Sequence, residues 1–231
     1  MTRASGKQKG KAAPDQELRK QRARAVLRRL RKLFPAAHCA LEFGDPWELL
    51  VATVLSAQCT DVRVNKVTPE LFRAYPSIRH FADSPPGELE DLIRSTGFFN
   101  NKAKNLRGAA RQLLDRHAGK VPDTMADLLA LPGVARKTAN CVLGTAFGKN
   151  VGVVVDTHVG RLARRLGLTE QADPVKVERD LMPLFPRTAW TYLSHALILH
   201  GRATCTARKP ACDACYLATH CPRAGVDGAP E

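Results

Sequence analysis

A chain of 231 residues, 44% hydrophobic and 25% charged, has the length and balance of a soluble globular protein with one large core or two modest ones. Its formal charge of +14 points to a polyanionic partner. No apolar run approaches the roughly 18 residues that a membrane span needs, and the polar N-terminus has no secretory h-region, so nucleic acid stands ahead of a membrane surface and the cytoplasm, on the nucleoid, is the expected location.

In chain order, residues 1–13 are rich in Lys, Gly and Ala and are expected to be a disordered basic tail. A basic helix follows from about Pro14 to Phe34, with Val26, Leu27, Leu30, Leu33 and Phe34 at helical spacing and Arg and Lys between them. That charge run reads as a solvated face or as an added source of DNA affinity. Asp45-Pro46 starts a helix that runs to about Gln58, and Asp61 is the expected cap of the next, which stops near Pro76. Short helices are expected at Ile78–Ala82 and Gly87–Ser95, the second ended by Gly97, then a longer one from Asn101 to His117. Thr124–Ala130 and Ala135–Phe147 read as two helices around a tight hairpin. Val151–Val155 fits a short strand or a buried extended linker equally well. Asp156 caps a helix ending near Gly167, Asp173-Pro174 starts another, and Arg187–His200 is the last. Nothing alternates with period two over a useful length, so the chain is expected to be all-α.

Four of the seven cysteines crowd the tail as Cys205-x6-Cys212-x2-Cys215-x5-Cys221. Without an export signal they bind a metal more readily than they pair. Zinc in a four-cysteine site is one reading. The spread of six, two and five intervening residues suits a single loop around a [4Fe–4S] cluster better than two paired knuckles. Arg202, Arg208 and Lys209 beside this loop face phosphate or offset an anionic cluster.

The hairpin Leu131-Pro-Gly-Val-Ala-Arg-Lys-Thr-Ala-Asn140 would present helix N-terminal N–H groups to an anion such as a DNA phosphate. Lys137 in the first turn is either a phosphate contact or a nucleophile. An ordinary lysine, with a pKa of about 10.4, must lose its proton before it can attack carbon. Asp156, in Val155-Asp-Thr-His158, reads as a helix cap.

These motifs, with Leu55-Ser-Ala-Gln-Cys-Thr-Asp61, Ile198-Leu-His-Gly-Arg202 and the cysteine spacing, all in order, resemble the endonuclease III family of helix-hairpin-helix DNA glycosylases from about Val26 to Cys221. The resemblance implies a six-helix barrel domain at 39–149, with its helix-hairpin-helix at about 124–147. It also implies a domain of residues 14–38 and 150–231 that holds a [4Fe–4S] cluster on Cys205, Cys212, Cys215 and Cys221. Duplex DNA with damaged bases or abasic sites would lie in a cleft with the lesion flipped out, bound by a monomer. Lys137 takes the position of the catalytic lysine and Asp156 that of the catalytic aspartate. Gln58 matches the residue that fills the gap left by the flipped base, and Phe98 belongs to a loop that wedges into DNA. Leu131, Gly133, Val134, Ala135 and Arg136 of the hairpin, together with His158, Arg202, Arg208 and Lys209, are the further DNA contacts expected.

Two positions depart from the family pattern: Ala135 replaces a second hairpin glycine, and Phe98 a smaller aliphatic. The expected reaction is removal of oxidised pyrimidines and cleavage of the abasic site through a lysine Schiff base. Two rivals remain: the related adenine-mismatch glycosylase, which normally lacks a lysine at position 137, and a non-catalytic iron–sulfur DNA-binding protein, which has no need of Lys137 with Asp156.

Overall fold

The computed structural model describes residues 12–226. The tail expected over 1–13 lies outside them except for its last two residues, which open the first helix. Eleven α-helices and three short 3₁₀ turns make up the regular structure, with no strand among the described residues. No helix among them is long and apolar enough to cross a membrane. Contacts divide the chain into two compact units: His38–Val154, and the described residues up to Ala37 joined to those from Val155 onward.

In the first unit, α2 (Pro46–Leu55) is the core helix. Asp45 caps it by accepting from Glu48 N at 2.8 Å, and Pro46 occupies the first turn. Trp47 and the seven consecutive residues from Leu49 to Leu55 are buried, so this helix is apolar nearly all round and must be surrounded. Around it lie α3 (Asp61–Ala74), α4 (Ile78–Asp83), α5 (Glu88–Ile93), α6 (Phe99–His117), α7 (Met125–Leu129) and α8 (Arg136–Ala146). They supply Leu71, Phe81, Ile93, Leu106, Leu113 and Leu143 to one core. Thr60, not Asp61, caps α3, its hydroxyl accepting from Arg63 N at 3.2 Å. Helix α6 starts at Phe99, two residues before the pattern predicted, because Phe98 takes the cap position in a left-handed conformation. An ion pair ties α6 to the start of α5: Arg107 donates to both oxygens of Glu90, at 2.7 and 2.5 Å, and to Ser84 Oγ at 2.9 Å.

The second unit contains α1 (Ala12–Leu33), α9 (Thr157–Arg165), α10 (Pro174–Leu181) and α11 (Trp190–Ala203). Ala23, Val26, Leu27 and Leu30 bury one face of α1. Its arginines are not simply solvated: Arg22 donates to Gly167 O at 2.9 Å and Arg29 to Tyr216 O at 2.7 Å, fastening the helix to the C-terminal chain. Val151–Val155 forms no ladder; it is the linker alternative, with Val153, Val154 and Val155 buried.

Candidate active site and cluster centre

The hairpin between α7 and α8 is built by two buried anchors and one glycine. Leu131 and Val134 are 2% and 7% exposed, and their N–H groups donate to Leu128 O and Leu131 O. Of the hairpin residues named from the sequence, these two therefore hold the turn in place, and their side chains face the core. Gly133 has φ +76°, and a Cβ there would lie 2.7 Å from Asn105 Cβ, so only glycine fits. Ala135 has φ −90° and ψ 168°, extended backbone open to any residue, so the alanine in place of a second glycine is unstrained.

Ala135 is also the N-cap of α8. Thr60, Thr124, Asp156 and Asp173 cap their helices with a side-chain oxygen, but an alanine cannot. The first intrahelical bond runs from Ala139 N to Ala135 O at 3.0 Å. The N–H groups of residues 136–138 precede it and carry the positive pole of the helix toward an approaching anion. Lys137 is exposed in that turn. One turn on is Cys141, buried among Thr53 and Cys39. Its thiol pKa is drawn down chiefly by the Cys39 hydrogen bond and slightly by the charge of Lys137.

Besides Ala118 at the end of α6, two non-glycine residues of the same unit, both named from the sequence, lie in the left-handed region. Gln58, exposed just after α2, has φ +55°, and Phe98, 63% exposed before α6, has φ +50°. A large apolar ring in water on a strained turn marks a group built to meet something else.

In the second unit, Asp156 caps α9: its Oδ1 accepts from Val159 N at 2.8 Å, and the carboxylate is half-buried. His158 is half-buried, with Nδ1 at 3.1 Å from Arg161 Nη2 and its ring against Gly201, where a Cβ would meet Nδ1 at 2.9 Å. Arg208 and Lys209 are exposed on the cysteine loop, and Arg202 is exposed near the end of α11.

The four tail cysteines are half-buried and ring one apolar hollow with Leu162, Leu166 and Leu217. Among the described residues no three His, Cys, Asp or Glu side chains converge as a lone ion would require. The thiols surround a space instead, as a polynuclear cluster needs. Burial raises the pKa of Cys215 and Cys221, and the charges of the neighbouring thiols raise it further, so four thiolates here need a cationic centre to hold them together. The residues fit an iron–sulfur cluster.

Two arginines that sequence reasoning missed frame this loop. Arg165, 8% exposed, donates to Cys205 Sγ at 3.3 Å, Thr206 O at 2.7 Å and Ala207 O at 2.7 Å. Arg161 Nη2 donates to Gly201 O at 3.0 Å and Cys205 O at 2.9 Å. Their one sequence signal was the i, i+4 spacing on α9.

The model of the HhH-GPD superfamily base excision DNA repair proteins matches residues 51–187, and that of the iron-sulfur binding domain of endonuclease III matches residues 205–221. The chain belongs to the HhH-GPD superfamily. Within it, the chain is 57% identical to the endonuclease III of Synechocystis sp. over 206 residues, 89% of this chain and 94% of that protein. It is 43% identical to that of Escherichia coli (strain K12) over 85% of this chain and 92% of that one. A solved non-covalent endonuclease III–DNA complex superposes with a TM-score of 0.85 at 44% identity, covering 88% of this chain and 95% of that one. A trapped endonuclease III–DNA covalent intermediate also gives 0.85, covering 88% and 96%. This endonuclease III-family chain is a base excision repair enzyme, a bifunctional DNA glycosylase and abasic-site lyase with a [4Fe–4S] cluster.

Proposed function

We propose that Lys137 is the nucleophile with which this enzyme releases oxidised pyrimidines from duplex DNA and cuts the resulting abasic site. The hairpin delivers the DNA backbone: phosphate oxygens accept from the N–H groups at the uncapped start of α8, and Gly133 allows the close approach. With its proton removed, Lys137 Nζ attacks C1′ as the glycosidic bond breaks and its electron pair leaves with the base. The amine lone pair then expels the ring oxygen to give the iminium. Loss of the C2′ proton expels the 3′ phosphate by β-elimination, and water regenerates the lysine. Asp156 takes the lysine proton or stabilises the positive charge that develops on the sugar. Arg136, Arg202, Arg208 and Lys209 contact phosphates, while Gln58 and Phe98 enter the base stack beside the flipped nucleotide.

Cys205, Cys212, Cys215 and Cys221 hold the cluster, which when bound supplies Fe–S bonds that fold the tail loop. The enzyme acts as a monomer in the cytoplasm, on the nucleoid.

The observation that carries this reading is a lysine in the first turn of a helix whose cap has no oxygen to occupy its N–H groups. Borohydride tests it. Wild type incubated with thymine-glycol or abasic duplex should yield a covalent protein–DNA adduct on reduction, and Lys137→Ala should yield none. An adduct of equal intensity with Lys137→Ala would remove this lysine from the mechanism. Absence of any wild-type adduct would favour the adenine-mismatch relative.

A further inference from the structure

Lys102, the fourth residue of α6, is 5% exposed, and its ammonium lies where a hydrocarbon would ordinarily pack. Nζ donates to Leu55 O at 2.8 Å and to Thr96 O at 2.8 Å. A buried cation persists only where such partners replace water, and burial pushes the pKa of this lysine down. The two carbonyls belong to different parts of the chain. Leu55 ends α2, three residues before Gln58; Thr96 stands two residues before Phe98. The ammonium also faces the negative pole of α2, which favours a cation. The main-chain N–H of Lys102 donates to Phe98 O at 3.1 Å, so one residue holds the Phe98 turn from both sides. Gln58 and Phe98 are both in the left-handed region, at φ +55° and +50°. Non-glycine residues stay there only when their surroundings over-determine them.

We propose that Lys102 is a positioning residue for base flipping: it ties the Gln58 turn to the Phe98 turn so that both side chains enter the DNA stack from fixed places. The proposal rests on the insertion roles of Gln58 and Phe98 given above. Lys102 itself touches no DNA, because its side chain is spent on the two carbonyls below the loops.

The test uses the full-length holoenzyme and Lys102→Met, which keeps the packing and removes the donors. Single-turnover release from a thymine-glycol duplex is compared with borohydride trapping on a single-stranded abasic oligonucleotide, which has no stack to enter. Misplaced loops should lower the duplex rate at least about tenfold further than the single-strand rate. In the same variant, the fluorescence rise of 2-aminopurine beside the lesion should be lost, and amides at 56–59 and 97–99 should exchange faster. An equal fall on both substrates, or a wild-type fluorescence rise, overturns the proposal. Should Lys102→Met fail to fold, Lys102→Gln carries the same comparison, since its shorter neutral amide reaches at most one carbonyl. Gln58→Ala and Phe98→Ala separate the layers. Full duplex activity in both sinks the insertion reading and the proposal with it; a fall in both without one in Lys102→Met sinks the positioning role alone.

Discussion

Asp156 caps α9, and the catalytic role proposed for it can be pulled apart from that cap. As the cap of α9 it needs only an oxygen that accepts from Val159 N, which an asparagine also provides. As a partner in catalysis it needs a negative charge. Asp156→Asn should therefore unfold within about 0.5 kcal/mol of wild type, since the two residues cap about equally well. Its single-turnover base release should fall by about a hundredfold, the scale of a lost acid–base or electrostatic group. Asp156→Ala should lose the same activity and about 1 kcal/mol of stability as well. Parallel urea titrations and lesion-release assays check this, and an active Asp156→Asn would leave the residue a cap and nothing more. Caps were legible in the sequence because their chemistry is complete within four residues, as at Asp45, Asp156 and Asp173. Lys102, Arg161 and Arg165 were not, because what gives them meaning is a carbonyl or a sulfur brought from a distant part of the chain.

At the scale of the element, the hairpin joins two positions of opposite tolerance. Gly133 requires a positive φ and has Asn105 against it, so Gly133→Ala should cost about 2 kcal/mol, the strain of the left-handed region plus the displaced neighbour. Duplex affinity should fall with it, by about tenfold, as the N–H groups of α8 tilt away from phosphate. Ala135 is extended, so Ala135→Gly relieves no strain and should change affinity by less than about threefold. Fluorescence anisotropy with an abasic-analogue duplex measures both, and equal responses would mean that hairpin shape does not govern the grip. The departure at Ala135 looked troubling in the sequence only because the motif does not print the dihedral angle.

The Arg107–Glu90 pair makes a prediction of different kind. Hydrogen bonding from Arg107 holds the Glu90 carboxyl at about 2, well below its ordinary value of 4.5. A carboxylate depressed on folding stabilises fully above the unfolded pKa, and that contribution is lost as pH falls through the folded one. Glu90→Gln should therefore be less stable than wild type at pH 7 by about 2 kcal/mol, as expected for a charged hydrogen bond largely removed from water. The gap should narrow steadily between pH 4.5 and 2. Urea midpoints of the two proteins across that range decide it, and a gap independent of pH would show that the pair contributes by packing alone.

Across the whole molecule, the unit His38–Val154 and the tail loop of the other unit draw their stability from different sources. His38–Val154 has a continuous apolar core around α2, and burial of that core is its main source of stability. The tail loop from Cys205 to Cys221 buries Leu217 and is held by its own backbone turns and by side-chain donors, Arg29 to Tyr216 O, Arg161 to Cys205 O, and Arg165 to Thr206 O and Ala207 O. Seventeen residues with so little apolar mass cannot offset their ordering entropy, so the Fe–S bonds must close the loop. Oxidising and chelating the iron should then leave amides of the α2 core protected, while exchange across 205–221 rises toward that of an unfolded chain. Protection should also weaken along α1, because Arg29 loses the carbonyl that holds it. Hydrogen exchange on holo and iron-stripped protein resolves the three regions separately. Loss of protection everywhere at once would mean that the barrel core depends on the cluster too; no change in the loop would mean that its arginine frame suffices without iron.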